Sequence, residues 1–320
     1  GLCHVGPAEY ETIAKQGFNC VQGIAAPEVG PLQRALNLAA TARLMVDVPL
    51  YAGSAVEGNL AASMRRLNRF GKSPTVLSWK IMDEPDLHPE IMDEVPRVYQ
   101  ALREVDRNHA LALSVATPEQ YAYWANFCDA LHVTARPRPS LPLAEVGARV
   151  RQAVAAVQPW QNVTAVLPTW WSVEGGGQPT AEEARVMAYL ALINGAKGLF
   201  WYAFRDFGFR LETTPLWEPL GALNRELSEL ASPLLEGVPT EGLSVESDAE
   251  GLQWLARTLS SRTYILLANP TPGPLQVTLT PQSKPSQAED LRGEMVALEG
   301  AKARVTLAAG MATTVVLTAE

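Results

Sequence analysis

Basic side chains are scarce in this chain, and lysine most of all. Its 320 residues hold 26 Lys and Arg against 34 Asp and Glu, only six of the 26 are Lys, and none of them cluster. Nucleic acids and anionic membrane surfaces need a basic face, so neither is an expected partner at a net charge of −8. Long apolar runs are also missing. No stretch of about 18 uncharged apolar residues occurs, which excludes an expected membrane span. Cysteine is nearly absent: Cys3, Cys20 and Cys128 are too few and too unevenly spaced for a disulfide framework or a zinc site. Cys3 and Cys20 fall on neighbouring expected strands, which leaves open a disulfide or two buried thiols. The four histidines, His4, His88, His109 and His132, lack metal-ligand spacing, and no metal or organic cofactor is expected.

What is present is an ordinary globular composition, 47% hydrophobic, in a chain longer than one typical domain. Short apolar runs at residues 2–5, 18–24, 44–48, 76–82, 110–115, 130–134, 163–167 and 198–203 read as eight strands. Between them lie helical patterns such as 31–42, 60–70, 92–106 and 143–157, with apolar residues at i, i+3 and i+4. Thr180-Ala-Glu-Glu183 is a capping box, and Thr117-Pro118 places Pro at a first helical position. Eight such alternations predict an α/β fold, a parallel (β/α)8 TIM barrel over residues 1–235. Its first strand lies at the extreme N-terminus of a chain that begins at Gly1 without Met, so further residues are expected before it. From residue 236 to 320 the runs turn short and β-branched, at 242–245, 252–259, 263–268, 276–279, 294–298, 303–306 and 313–317. The loop Asn269-Pro-Thr-Pro-Gly-Pro274 admits no helix, and this tail predicts a small antiparallel β-sandwich.

Catalytic groups of a barrel gather at the C-terminal ends of its strands. Those ends offer His4, Asp47, the acids of Asp83-Glu84-Pro85-Asp86, His132 and Thr134, Trp170-Trp171, and then Trp201, Tyr202, Arg205 and Asp206. Carboxylates among indoles suit a carbohydrate, because aromatic faces stack on C–H surfaces while carboxylates bind hydroxyls and transfer protons. Three acids directly after an apolar strand are costly unless used or solvated. The helix macrodipole accounts for Asp86, but Pro85 and Pro89 delay the helix beyond Glu84. Strand alternation places Ser78, Lys80, Met82 and Glu84 on one face; if that face is the lumen, Lys80 needs a carboxylate partner. His132 is either a substrate contact or a hydrogen-bonded core residue. Trp124, Trp160 and Trp217 fall on or beside helices and read as packing. Gly175-Gly-Gly177 lacks the Lys and Ser/Thr of a phosphate loop and reads as a turn.

Trp79-Lys-Ile-Met-Asp-Glu-Pro-Asp86 resembles the Trp-x-x-x-(Asn/Asp)-Glu-Pro segment of the clan A glycoside hydrolases, and more narrowly a bacterial group of barrel glycoside hydrolases. Residues 9–21, Asp106-Arg-Asn-His109 and residues 179–198 extend the likeness over most of 1–205. The resemblance implies a glycosidase acting on an oligosaccharide, polysaccharide or glycoside, with retention of configuration and a secreted or periplasmic location. It makes Glu84 the general acid/base. Asp83 takes the place of an Asn that contacts the 2-hydroxyl, although an ionised Asp only accepts hydrogen bonds. Trp201 or Tyr202 would line the central subsite, with Trp170, Trp171, His132, Asp47 and Asp206 as further substrate contacts. In one respect the chain departs from the clan. The nucleophilic Glu of strand seven is missing from Leu167-Pro-Thr-Trp-Trp171, and the nearest acid is Glu174. Glu174 is the preferred second carboxylate, with Asp206 and Asp47 as alternatives. If none of them serves, the barrel binds sugar without cleaving it.

Overall fold

The computed structural model describes residues 1–23, 28–51, 57–135, 141–171, 177–291 and 293–319, the side chain of Glu57 aside. Eight parallel strands close a barrel in chain order: β1 (Leu2–Val5), β2 (Cys20–Gly23), β3 (Met45–Pro49), β4 (Val76–Asp83), β5 (Ala110–Val115), β6 (Ala130–Thr134), β7 (Asn162–Pro168) and β8 (Gly198–Tyr202). Closure runs through Leu2 of β1 paired with Trp201 of β8. One helix follows each strand: α1 (Tyr10–Lys15), α2 (Val29–Thr41), α3 (Leu60–Phe70), α4 (Glu94–Val105), α5 (Tyr121–Trp124), α6 (Ala144–Ala156), α7 (Ala181–Ile193) and α8 (Trp217–Glu229). The expected capping box forms at the start of α7, where the Glu183 N–H donates to Thr180 Oγ1 and the Thr180 N–H to Glu183 Oε2. Pro118 opens a 3-10 turn that leads into the single turn of α5. Among the described residues no helix is long and apolar enough to cross a membrane.

The outer faces of the strands bury Val5, Val21, Trp79, Leu111, Leu113, Leu131 and Leu167 against the helices in one continuous core. Trp79 is tied down as well, its indole N–H donating to Asp106 Oδ2 at 2.7 Å. Asp106 also bonds His109 Nδ1 at 2.8 Å and accepts from the Asn108 and His109 N–H groups. Burial opposes charge on this carboxyl, but the donors from His109, Trp79 and the backbone outweigh it and hold Asp106 below the usual carboxylate range. A depressed carboxyl contributes stability that is complete above its unfolded value near 4 and is lost as pH falls through the folded value. Wild type is therefore expected to lose stability on acidification more steeply than Asp106→Asn, with urea midpoints between about pH 5 and 2 as the measurement. Parallel profiles would refute the assignment.

The thiols of Cys3 and Cys20 are both free, and Cys20 is half-buried rather than enclosed. Burial pushes the Cys3 thiol up to about 12.

Beyond β8 a two-stranded hairpin, β9 (Arg205–Asp206) and β10 (Phe209–Arg210), precedes α8, and a short α9 (Ala231–Glu236) follows it. The remaining chain forms two antiparallel sheets. One has the order β11 (Val238–Pro239), β13 (Gln253–Leu259), β14 (Arg262–Asn269), β19 (Met311–Ala319), β16 (Pro285–Asp290). The other runs β12 (Ser244–Ser247), β15 (Leu275–Thr280), β18 (Lys302–Leu307), β17 (Leu298–Glu299). Ile265, Leu267, Val277, Leu279, Val315 and Leu317 fill the space between them. Strand β16 gave no sequence signal because Ser286, Gln287 and Glu289 are polar, and as an edge strand it tolerates Pro285. In the run expected at 294–298, only Leu298 enters a strand, while Met295 makes an isolated bridge to Glu289.

The other face of β14 and β19 packs Leu266, Ala268 and Ala312 into the barrel core, on α7. This double burial explains why α7 is apolar on nearly every side. Arg185 of α7 forks onto Glu226 of α8 at 2.7 and 2.5 Å and donates its Nε–H to the Ala312 carbonyl. The Tyr189 hydroxyl donates to Glu226 and lies 3.0 Å from Thr314 Oγ1. Glu226→Ala strands the Arg185 charge at this seam, with an expected loss of about 2 kcal/mol, below the cost for a fully buried pair because Arg185 keeps some water. Chemical unfolding measures it, and the pair Arg185→Met/Glu226→Leu is expected to recover part of the loss.

Candidate active site

Polar side chains line the barrel lumen where such barrels ordinarily carry branched aliphatic ones. Asp47 of β3 is 0% exposed and accepts from Gln22 Nε2 at 2.9 Å and Ser78 Oγ at 2.6 Å. Lys80, on the same face of β4 as Ser78, is also buried, and its ammonium reaches Asp83 Oδ1 at 2.6 Å. Burial works against that ammonium. Asp83, with Tyr51, Cys3 and Asp47 nearby, more than offsets this and holds Lys80 above its ordinary value.

The Lys80–Asp83 pair departs from strict alternation, which would put residues three apart on opposite faces. The register supplies the reason: Lys80 pairs with Ala112, but Met82 pairs with Leu113 and Asp83 with Ser114. One extra residue is inserted after Lys80, and such a bulge switches the faces of all that follow. Met82 therefore turns outward into the helical core, and Asp83 turns inward toward Lys80. The expected single face of Ser78, Lys80, Met82 and Glu84 is broken at this point.

Glu84 comes next and is half-buried. Its backbone has φ 48° and ψ 52°, the left-handed region, directly before Pro85. A residue before proline is normally extended, so two steric preferences are overridden here. What holds it is the Glu84 N–H, which donates to the Ser114 carbonyl at 2.9 Å and prolongs the β4–β5 ladder. The Thr134 hydroxyl of β6 donates to Glu84 Oε1 at 2.7 Å. Asp86 accepts from the Ala116 and Thr117 N–H groups and so ties this loop to the one after β5. Backbone strain of this kind persists where surrounding structure over-determines it, and it concentrates at functional sites.

Across the rim, His4, the penultimate residue of β1, has φ 58°. Its Nδ1 lies 3.7 Å from Asp206 Oδ1, and its ring meets Tyr202 edge-on. The Tyr202 hydroxyl donates to Asp206. Burial lowers the His4 imidazole below its ordinary value, against the pull of Asp206 and Asp83. Arg205 bridges Glu9 and Glu212 at 2.7 Å each. His4, Glu9, Gln22, Tyr51, Phe204 and Arg205 line a cavity of about 360 Å³ at this side of the mouth. Beneath it His132 is buried, burial drives its imidazole down to about 4, and its Nδ1 has no hydrogen-bond partner among the described residues. It is neutral at physiological pH.

The residues read from the sequence thus separate. Asp83, Glu84, Tyr202 and Asp206 stand at the rim. Asp47 and His132 lie in the lumen below, where Asp47 is enclosed by its bonds to Gln22 and Ser78. Trp201 is 1% exposed and faces the helices, because it pairs with the outward residues Leu2 and Leu167. Alternation gives the lumen to Tyr202 instead. Trp170 is half-buried and stacks on Phe209, with ring centroids 5.5 Å apart and planes 11° apart. Trp171 packs on the barrel core. Glu174 lies outside the described residues. Of the helix-associated indoles, Trp124 and Trp217 are buried, whereas Trp160 is exposed. Sequence reasoning missed the link from Thr134 to Glu84, which only the juxtaposition of two strand ends reveals, and it missed Tyr51, Phe207 and Phe209.

No known family's sequence profile matches this chain, and no curated protein matches it. Solved structures match its fold. An Anoxybacillus alpha-amylase shares 12% identity at a TM-score of 0.65, over 98% of this chain and 90% of that one. A family 27 β-L-arabinopyranosidase from Geobacillus stearothermophilus shares 13% at 0.66, over 99% and 95%. A family 30 subfamily 8 xylanase from Clostridium acetobutylicum shares 14% at 0.59, over 100% and 95%. At these identities the likeness is one of fold.

Proposed function

We propose that this chain is a glycoside hydrolase acting at the rim formed by β1, β4, β6 and β8. The observation that carries the reading is Glu84: a half-exposed carboxylate at the C-terminal end of β4, fixed on a left-handed, pre-proline backbone and braced by Thr134. The sequence motif around it and the glycosidase names of the structural neighbours support the same reading. Glu84, as the acid, protonates the glycosidic oxygen while the bond from that oxygen to the anomeric carbon breaks. In a retaining reaction a second carboxylate takes up the glycosyl group and Glu84, now the base, deprotonates the water that completes hydrolysis; in an inverting one the second carboxylate is itself the base for the attacking water. Glu174 or Asp206 fills the second role in preference to Asp47, which is buried below the rim. Retention requires that acid about 5–5.5 Å from Glu84, and inversion about 6.5–9.5 Å. Asp83, paired with Lys80, accepts a substrate hydroxyl, and Tyr202 faces the sugar. We further propose that residues 1–235 form the catalytic barrel and 236–320 a C-terminal β-sandwich domain packed on α7.

A second reading is favoured by one observation. The end of β7 carries no acid among its described residues, and Thr169 there is committed to the Ala203 carbonyl. A barrel without a second acid would bind a glycan without cleaving it. Screening alkyl glycosides, whose leaving group needs the acid, with wild type, Glu84→Gln, Glu174→Gln, Asp206→Asn and Asp47→Asn separates the two. Turnover lost in Glu84→Gln and one other variant supports hydrolysis and names the second acid. Binding with equal, negligible turnover by all five proteins leaves the binding module.

A further inference from the structure

The hairpin β9–β10 exposes an aromatic side chain at a backbone position that disfavours one. Asp206 pairs with Phe209, so Phe207 and Gly208 form a two-residue turn, with φ 43° and 84°. Both central residues are left-handed, the arrangement for which Asn-Gly is preferred and a bulky side chain is not. Phe207 is nevertheless 83% exposed and packs too little to compensate. It leans toward Trp170, with centroids 6.4 Å apart and planes at 49°, while Phe209 backs the indole. Phe209 itself rests on the barrel core.

The cluster is hydrogen-bonded to the rim. Thr169, next to Trp170, donates its N–H to the Tyr202 carbonyl at 2.7 Å and its hydroxyl to the Ala203 carbonyl at 2.8 Å. The hairpin's base carries Asp206, held by Tyr202, and Arg205, anchored on Glu9 and Glu212. Aromatic faces bordered by carboxylate and guanidinium groups offer stacking for sugar C–H surfaces and hydrogen bonds for hydroxyls.

We infer that Trp170, Phe207 and Phe209 form a stacking platform for a distal ring of a chain substrate, so that the ligand is an oligo- or polysaccharide and not a small glycoside. The inference rests on the carbohydrate reading above. It explains why Phe occupies a turn that Asn would fit better: the ring serves the ligand at the expense of the turn.

The test uses the full chain carrying Glu84→Gln, titrated calorimetrically with maltohexaose, xylohexaose and cellohexaose and with glucose and xylose. At least one hexasaccharide is expected to bind tenfold or more tightly than its monosaccharide. Adding Phe207→Ala or Trp170→Ala is expected to collapse that ratio toward one. Phe207→Asn is expected to raise the melting temperature and still lose the ratio, which a merely structural role for Phe207 would not produce. A ratio unchanged in Phe207→Ala and Trp170→Ala overturns the platform, as does a ratio retained in Phe207→Asn, because the turn and not the ring would then matter. Absence of any length preference overturns it too. Alkyl glycoside hydrolysis by wild type against Glu84→Gln reports separately on catalysis. Turnover without length dependence sinks only the platform, and length-dependent binding without turnover sinks only the hydrolase.

Discussion

Glu84→Gln is expected to lower kcat/KM for a glycoside with a poor leaving group by about 10²–10⁴-fold, the usual contribution of a positioned general acid. The amide keeps the size and the hydrogen-bonding capacity that Thr134 meets, but it carries no transferable proton. The loss is expected to depend on the leaving group. A nitrophenolate departs without protonation, so bond cleavage in a nitrophenyl glycoside is expected to suffer much less than in an alkyl glycoside. If the mechanism is retaining, azide is expected to restore turnover of the activated substrate in Glu84→Ala, since an anion needs no base to attack the glycosyl group. Steady-state kinetics on the two substrate types, with and without azide, measure both effects. Equal kcat/KM for wild type and Glu84→Gln on alkyl glycosides would remove Glu84 from the chemistry.

Trp79→Ala is expected to cost about 3–5 kcal/mol of folding stability, the range for deleting a large aromatic from a packed core. Trp79 is fully buried between β4 and the helices, and its indole is a donor to Asp106. Trp79→Phe retains most of the packing and removes only that donor. Asp106 keeps His109 and two backbone N–H groups, so the expected cost is about 1–2 kcal/mol. Urea unfolding followed by far-ultraviolet circular dichroism measures both changes. Equal losses in the two variants would show that packing contributes little there. The prediction assigns the first residue of the Trp79–Asp86 motif to the scaffold and the Glu near its end to the rim. This run of eight residues thus divides between two faces of one strand and the loop beyond it.

The barrel was largely legible because its signals are local. Apolar runs of strand length, amphipathic helical stretches and the capping box at Thr180 depend on neighbours a few residues away, and all eight barrel strands lie where those patterns place them. Strand β16 was illegible for a related reason: an edge strand buries little, so Pro285-Ser-Gln-Ala-Glu-Asp290 carries almost no apolar alternation. The site was legible in outline, since acids and indoles at strand ends mark the mouth of a barrel. Its orientation was not. Asp47 reads as a rim acid but lies in the lumen, bonded to Gln22 and Ser78 from the two flanking strands.

The sequence by itself determined the number and order of the barrel elements and the acidic motif at the end of β4, because period, caps and turn residues act over short stretches of chain. Only the tertiary structure decided which side chains enter the lumen. The face of a strand residue depends on its pairing with neighbours distant in sequence, and one inserted residue reverses it. The bulge after Lys80 turns Asp83 inward and Met82 outward. The closing pair Leu2–Trp201 fixes Trp201 outward and Tyr202 inward. A two-residue turn with both residues left-handed lifts Phe207 clear of the core and sets it beside Trp170.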